Sequence, residues 1–180
     1  MNKRINYFLS IMILLIFTSN SLAKCDFGLN LGDKIPDSFV ERSGNLLEDE
    51  RVHLVYFEAD ELCGNPTLKD IGVEFAFLDG ELGAIRMFAD NDERNIPTKK
   101  FSLMNYAKLN YGKFDTGFDK DNFNSFKVWK KNNEIVIYKR MININNIWDE
   151  EIFISNEKYE EPLMVERSRE NKIVFYENEN

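Results

Sequence analysis

The Asp79-Gly80 pair is the sequence feature that most constrains the fold. It stands between two apolar runs, Val73–Leu78 before it and Leu82–Phe88 after it. Two residues that tolerate positive φ fit a type I′ turn, which joins neighbouring antiparallel strands. We therefore expect a β-hairpin at this point. Its register on one sheet face pairs Phe77 with Leu82 and Phe75 with Ala84.

A second pair of this kind, Asn132-Asn133, separates the runs Phe126–Lys130 and Ile135–Met141. Asparagine also tolerates positive φ, so a two-residue turn is expected here. That register places Lys131 opposite Glu134 and Trp129 opposite Val136. Further short runs predict strands at Val52–Phe57, Trp148–Ile154, Leu163–Val165 and Ile173–Tyr176.

One principal helix is expected at about residues 98–111. Pro97-Thr98 supplies a start and a cap, and Gly112 supplies a left-handed C-terminal position. The apolar stripe on this helix consists of Leu103, Tyr106, Ala107 and Tyr111. Because strands precede and follow a single helix, the order predicts an α+β fold, mainly an antiparallel β-sheet with the helix packed on it.

The first 23 residues have the layout of a cleaved signal peptide. Met1–Arg4 is basic, Tyr7–Phe17 is apolar, and Ser21–Ala23 offers the small residues that a signal peptidase reads. The apolar run is far shorter than the roughly 20 residues that cross a bilayer. We expect cleavage near Ala23, a periplasmic or secreted location, and one domain at residues 24–180 without a transmembrane segment.

Cys25 and Cys63 are the two cysteines of the chain. An even pair in an exported protein predicts a disulfide, which would hold the new N-terminus to the domain. Two alternatives compete with this interpretation. Cys25 could be lipidated, although Lys24 is not the small residue which that processing needs. The cysteines could also form a redox pair, although they lack Cys-x-x-Cys spacing.

The charge balance restricts the partners. Residues 24–180 contain 21 Lys and Arg and 31 Asp and Glu, a formal charge of −10. Binding to phosphate groups needs clustered Lys and Arg, so nucleic acid and an anionic membrane surface are not expected partners. An acidic surface instead favours a basic protein partner, which its field would steer into contact.

No motif in the sequence predicts a catalytic residue, a cofactor or a metal ligand. His53 is the sole histidine, and alternation places it in a strand with Val55 and Phe57. Glu58, Asp60 and Glu61 could form the paired carboxylates of a hydrolase. A solvated strand end is the favoured interpretation, because chance clusters are expected among 31 acidic residues.

A loop with alternating oxygen-bearing side chains, residues 115–122, faintly resembles a calcium loop. Its glycine is misplaced for an EF-hand, and no glutamate closes it. We expect a turn there.

These observations favour an exported, non-enzymatic binding protein, and an immunity-type inhibitor of a toxin is one concrete form. The alternatives are a carboxylate-dependent hydrolase of cell-wall polymer and a structural component of the envelope. Large aromatic side chains would anchor a protein partner if they are exposed. The candidates in the C-terminal half are Trp129, Tyr138, Trp148 and Tyr159.

Overall fold

A computed structural model describes residues 25–42, 51–89, 102–117, 125–142, 148–163 and 165. Within these residues, seven antiparallel strands form one sheet in the order β1-β2-β3-β7-β6-β5-β4. The strands are β1 (Val52–Glu58), β2 (Ile71–Leu78), β3 (Glu81–Ala89), β4 (Thr116–Gly117), β5 (Ser125–Lys131), β6 (Glu134–Ile142) and β7 (Trp148–Ser155). The helices are α1 (Asp37–Arg42), α2 (Ala59–Cys63) and α3 (Ser102–Tyr111), with a 3₁₀ turn at Pro66–Leu68 and a helical turn at residues 160–163. The expected α+β class is confirmed.

The sheet buries side chains on two faces. The inner face carries the main core, which packs against all three helices and against an N-terminal strap, residues 25–35. The outer face is covered near β1, β2 and β3 by Tyr159 and Leu163 of the C-terminal turn. Since β2 has neighbours on both faces, each of its residues is buried.

The Asp79-Gly80 turn is confirmed, but its register holds for only part of the hairpin. Asp79 and Gly80 have φ values of 51° and 77°, and Phe77 pairs with Leu82. A β-bulge then shifts the pairing, so that Phe75 faces Ile85 and the predicted partner, Ala84, faces Ala76. The expected pair of Phe75 with Ala84 was wrong because the bulge inserts Gly83 as one extra residue into β3.

The second hairpin follows its predicted register throughout. Asn132 and Asn133 have φ values of 50° and 68°. Lys131 pairs with Glu134 and Trp129 with Val136, as expected. The predicted strands at Val52–Phe57 and Trp148–Ile154 correspond to β1 and β7.

Helix α3 confirms the described part of the predicted helix. It ends at Tyr111, and Gly112 follows with a φ of 76°. Leu103, Tyr106 and Ala107 are buried, as the apolar stripe requires. Residues 98–101 lie outside the described residues.

The predicted strand at Leu163–Val165 was wrong. Leu163 donates its backbone N–H to the carbonyl oxygen of Tyr159 at 3.0 Å, which closes a helical turn. A short apolar run does not by itself distinguish a strand from a buried helical turn. The predicted strand at Ile173–Tyr176 lies outside the described residues, as do the expected signal peptide and its cleavage site.

The disulfide between Cys25 and Cys63 is present, with a Cα–Cα distance of 5.0 Å. It holds the start of the strap against the end of α2. Cys25 also donates its backbone N–H to the hydroxyl oxygen of Tyr106 at 3.0 Å. The far end of the strap is bonded to the first hairpin, since Gly32 donates to the carbonyl oxygen of Leu82 and Ile35 to that of Gly80.

Candidate functional site

Three of the four aromatic side chains selected from the sequence lie in the interior. Trp129, Tyr138 and Tyr159 are buried, so they do not form the surface anchors that the sequence analysis offered. Each polar atom has a partner, because Trp129 donates to the carbonyl oxygen of Gly112 and Tyr159 donates to a Glu81 carboxylate oxygen at 2.7 Å. Trp148 begins β7, and its side chain lies outside the described part of the chain.

The acidic group at the end of β1 is spread along a strand end and a short helix. Glu58 is the last residue of β1 and is exposed, whereas Asp60 and Glu61 lie in the first turn of α2. An oxygen of Asp60 accepts the backbone N–H of Glu61 at 3.0 Å. His53 is half-buried and faces Phe77 across the sheet.

The segment that faintly resembles a calcium loop contributes backbone pairing. Thr116–Gly117 forms β4 against β5, and Asp115 accepts the backbone N–H of Lys130 at 2.7 Å. Residues 118–122 lie outside the described part. Within the described residues, no group of three or more His, Cys, Asp or Glu side chains could hold a metal ion.

A buried polar cluster lies on the inner face beneath the start of α3. It consists of Lys127 on β5, Tyr138 and Arg140 on β6, and Glu150 on β7. Backbone register places these residues together, since Tyr138 faces Lys127 and Arg140 faces Glu150. Burying so many polar groups is costly unless they are paired, so this cluster requires a specific arrangement.

Glu150 joins the cluster to α3. Its Oε1 atom accepts the backbone N–H of Met104 at 3.2 Å and the hydroxyl of Tyr138 at 3.1 Å. A carboxylate at this position also interacts favourably with the positive end of the helix dipole. Burial raises the pKa of Glu150, and the bonds from the α3 backbone and the charge of Arg140 oppose that rise.

Lys127 places its Nζ atom 4.2 Å from the ring centre of Phe114, in cation–π geometry. Burial raises the pKa of Tyr138, and the negative charge of Glu150 adds to this effect. The cluster can therefore fix the start of α3 on the sheet and keep the Tyr138 hydroxyl protonated as a hydrogen-bond donor.

Lys127, Arg140 and Glu150 were not among the residues predicted to form a site. The alternation of residues along their strands nevertheless indicates their position. Each occurs at an even spacing from a buried residue of its own strand, which places it on the apolar face. The in-phase buried partners are Trp129 for Lys127, Tyr138 for Arg140, and Ile152 for Glu150. When each of three neighbouring strands carries a charged residue on its apolar face, the pattern indicates a buried polar cluster.

The outer face carries a group of apolar side chains that are exposed or half-exposed among the described residues. We call it the outer patch and define it as Phe126, Val128, Ile137, Met141 and Phe153. Val128 faces Ile137, and Ile137 faces Phe153, so the patch crosses β5, β6 and β7. Phe126 and Met141 are the most open members, with exposures of 42% and 45%.

An ion ladder crosses four strands and enters the outer patch at Lys139, which pairs with Phe126 and lies between Ile137 and Met141 on β6. Arg86 on β3 contacts Glu151 on β7 at 2.8 Å and Glu74 on β2 at 3.8 Å. Lys139 on β6 contacts the other Glu151 oxygen at 3.1 Å. Burial alone would raise the pKa of Glu151, but the two cations beside it hold that pKa below its usual range. Glu151 is therefore ionised at neutral pH.

Comparison of the chain with protein-family models, curated proteins and solved structures finds no match. The described helices include none that is both long and apolar enough to cross a membrane. Function must therefore be inferred from the surfaces and side chains described above.

Proposed function

We propose that this chain is an exported, non-enzymatic binding protein that holds a basic protein partner on its outer patch. The outer patch itself is the observation that supports the proposal. Monomeric soluble proteins rarely leave contiguous large apolar patches open, and such patches rimmed by polar residues are typical of interaction sites. Here the ion ladder supplies polar side chains next to the apolar ones.

Charge supports the choice of partner. Residues 24–180 carry a formal charge of −10, so a basic protein would be attracted over long range. The apolar side chains would then supply the short-range contact, since aromatic residues and methionine are enriched in interface centres. An immunity-type inhibitor that neutralises a basic toxin outside the cytoplasm is one protein with these properties.

The signal-peptide layout and the disulfide support export. A bond between Cys25 and Cys63 persists in oxidising compartments and is rare in the cytosol of most organisms. The structure therefore fits a periplasmic or secreted protein.

The test compares three immobilised forms of the oxidised protein in an extracytoplasmic extract of the source organism. The forms are the native chain, the double variant Phe126→Ser with Met141→Ser, and the control Leu109→Ser. Leu109 is 60% exposed on α3 and does not belong to the outer patch. Removal of central interface side chains typically weakens binding by about tenfold or more.

We expect the native chain and the Leu109 variant to capture the same basic protein at low salt, and the double variant to lose it. Capture by the native chain should fall as salt rises, because screening removes the long-range attraction. Equal capture by all three forms would overturn the proposal. The proposal would also be overturned if no basic protein were among the captured proteins.

A further inference from the structure

A cleft of about 270 Å³ lies on the inner face beneath the N-terminal strap. Ile85 of β3 and Ile154 of β7 form its floor, and Phe27 and Leu31 of the strap form its roof. Pockets for small molecules are typically about 300–1,000 Å³ and mainly apolar, with a few polar groups that fix orientation. At about 270 Å³ this cleft is slightly smaller than that range, which restricts it to a small ligand.

The strap that forms the roof is fixed at both ends. The disulfide and the Tyr106 hydroxyl hold Cys25, while backbone bonds to the first hairpin hold residues 32–35. Phe27 lies edge-on to Phe75, with ring centres 6.0 Å apart, which fixes the middle of the strap on the core. The cleft is therefore preformed, and a ligand would not have to order the strap on binding.

The charged groups that the structure describes at the cleft all have the same sign. Asp26 of the strap and Glu134 at the start of β6 contribute carboxylates, and none of the described residues that line the cleft is Lys, Arg or His. Glu134 is half-buried and forms no ion pair with the described cations, although Lys131 faces it across the turn.

Tyr111, the last residue of α3, lines the cleft together with Glu134. Burial raises the pKa of the Tyr111 hydroxyl, and the charges of Tyr106 and Glu134 add to that rise. Both residues line the same cleft, so one bound ligand can contact the Tyr111 ring and the Glu134 carboxylate. An aromatic ring beside a carboxylate is a favourable environment for an organic cation, which both groups attract.

We propose that the cleft binds a small organic monocation with an apolar body, of the alkylammonium class. The apolar part would lie on Ile85 and Ile154, and the ammonium group would contact the Glu134 carboxylate beside Tyr111. An anionic ligand of the same shape would be repelled by both carboxylates. This site is separate from the outer patch, since the two lie on opposite faces of the sheet.

The test uses hexylammonium, hexanoate and hexanol as probes of equal chain length with positive, negative and no charge. Binding to the purified oxidised protein is measured by titration calorimetry and by amide chemical shifts. We expect hexylammonium to bind about tenfold more tightly than hexanol, a difference of about 1.4 kcal/mol. We expect hexanoate not to bind. The shifts should cover Leu29, Leu31 and Tyr111.

Glu134→Gln keeps the side-chain shape and removes the charge, so it should weaken hexylammonium binding by about tenfold. The matched control, Glu157→Gln, changes an exposed acid that does not line the cleft and should bind as the native chain does. Asp26→Asn provides a second test if Glu134→Gln does not fold. Its amide oxygen can still accept the Gly28 backbone N–H that Asp26 accepts at 3.0 Å.

Equal binding of hexanoate and hexylammonium would overturn the inference, as would equal binding by the Glu134 and Glu157 variants. Shifts confined to residues outside the cleft would also overturn it. The double variant at Phe126 and Met141 should bind hexylammonium normally. Failure of the partner-binding proposal would therefore leave this result unchanged, and the two can be judged separately.

Discussion

At Glu150, opposing effects act on one carboxyl group. Burial to 1% exposure disfavours the charged form, while the α3 backbone, the Tyr138 hydroxyl and Arg140 favour it. Burial has the larger effect, so the native pKa lies above the ordinary value of 4.5. The folded protein consequently binds a proton at Glu150 more tightly than the unfolded chain does.

The direction of this pKa shift predicts how stability depends on pH. As pH rises from 4.5 toward the raised native pKa, the free energy of unfolding should fall, by at most about 1.4 kcal/mol per pH unit for one proton. Glu150→Gln should remove this part of the slope. Urea unfolding of both proteins at a series of pH values measures how the free energy of unfolding changes with pH.

Glu150→Gln also displaces the whole curve, because Arg140 loses its interaction with Glu150. The slope is therefore the quantity to compare. Glu157→Gln, which changes an exposed acid, should keep the native slope. Parallel curves for the native protein and the Glu150 variant would contradict the prediction.

Among the elements of the fold, the first hairpin depends on distant residues as well as on its turn. At Gly83, a Cβ atom would stand 3.0 Å from Leu163 Cδ1 and 3.2 Å from Tyr159 Cβ. The hydroxyl of Ser155 also donates to the Gly83 carbonyl oxygen at 2.7 Å. The bulge therefore lets the C-terminal turn approach the sheet closely.

Gly83→Ala should destabilise the protein by about 1–3 kcal/mol, because the added methyl group overpacks this contact. It should also loosen the C-terminal turn and accelerate tryptic cleavage after Lys158. The control is Gly80→Ala, which is strained by a φ of 77° but has no heavy atom within 4 Å of the new Cβ. Cleavage is compared at urea concentrations that give equal global stability, and equal rates would contradict the prediction.

Whether an element could be predicted depends on how far apart in the sequence its interacting residues lie. The Asp79-Gly80 and Asn132-Asn133 turns depend on local backbone preferences, so they could be predicted. The bulge at Gly83 depends on Tyr159 and Leu163, which are far away in sequence, and no local pattern specifies it. The helical turn at residues 160–163 was missed for the same reason.

The candidate sites show the same limit. Alternation along each strand could have indicated that Lys127, Arg140 and Glu150 share the inner face. It could not show that Phe126 and Met141 are exposed among the described residues, or that the strap lies over a cleft. Those properties depend on which segments cover which face of the sheet.

For the molecule as a whole, the disulfide is a covalent cross-link between the strap and the end of α2. Its Cα–Cα distance of 5.0 Å lies within the ordinary range for disulfides. Cys63→Ala should cost roughly 4 kcal/mol, since the bond closes a loop of about 39 residues in the unfolded chain. Reduction of the native protein should cost the same amount, because both changes open one loop.

Unfolding in urea measures these costs, and the double variant Cys25→Ala with Cys63→Ala should lose no more stability than Cys63→Ala alone. Thiol titration of the native oxidised protein provides an independent check. Two free thiols would contradict the bond, and one free thiol would indicate a modified Cys25.

The strand order has a consequence for how the chain folds. Strands β1–β3 and β4–β7 form two groups in which each strand pairs with its neighbour in sequence, and the β3–β7 pairing joins the groups. That junction closes a much longer loop than any hairpin, so we expect it to form late and to limit the folding rate. Until β7 pairs with it, β3 has an unpaired edge that other chains can bind. A newly made chain is therefore most vulnerable to aggregation along the edge that later becomes the centre of its sheet.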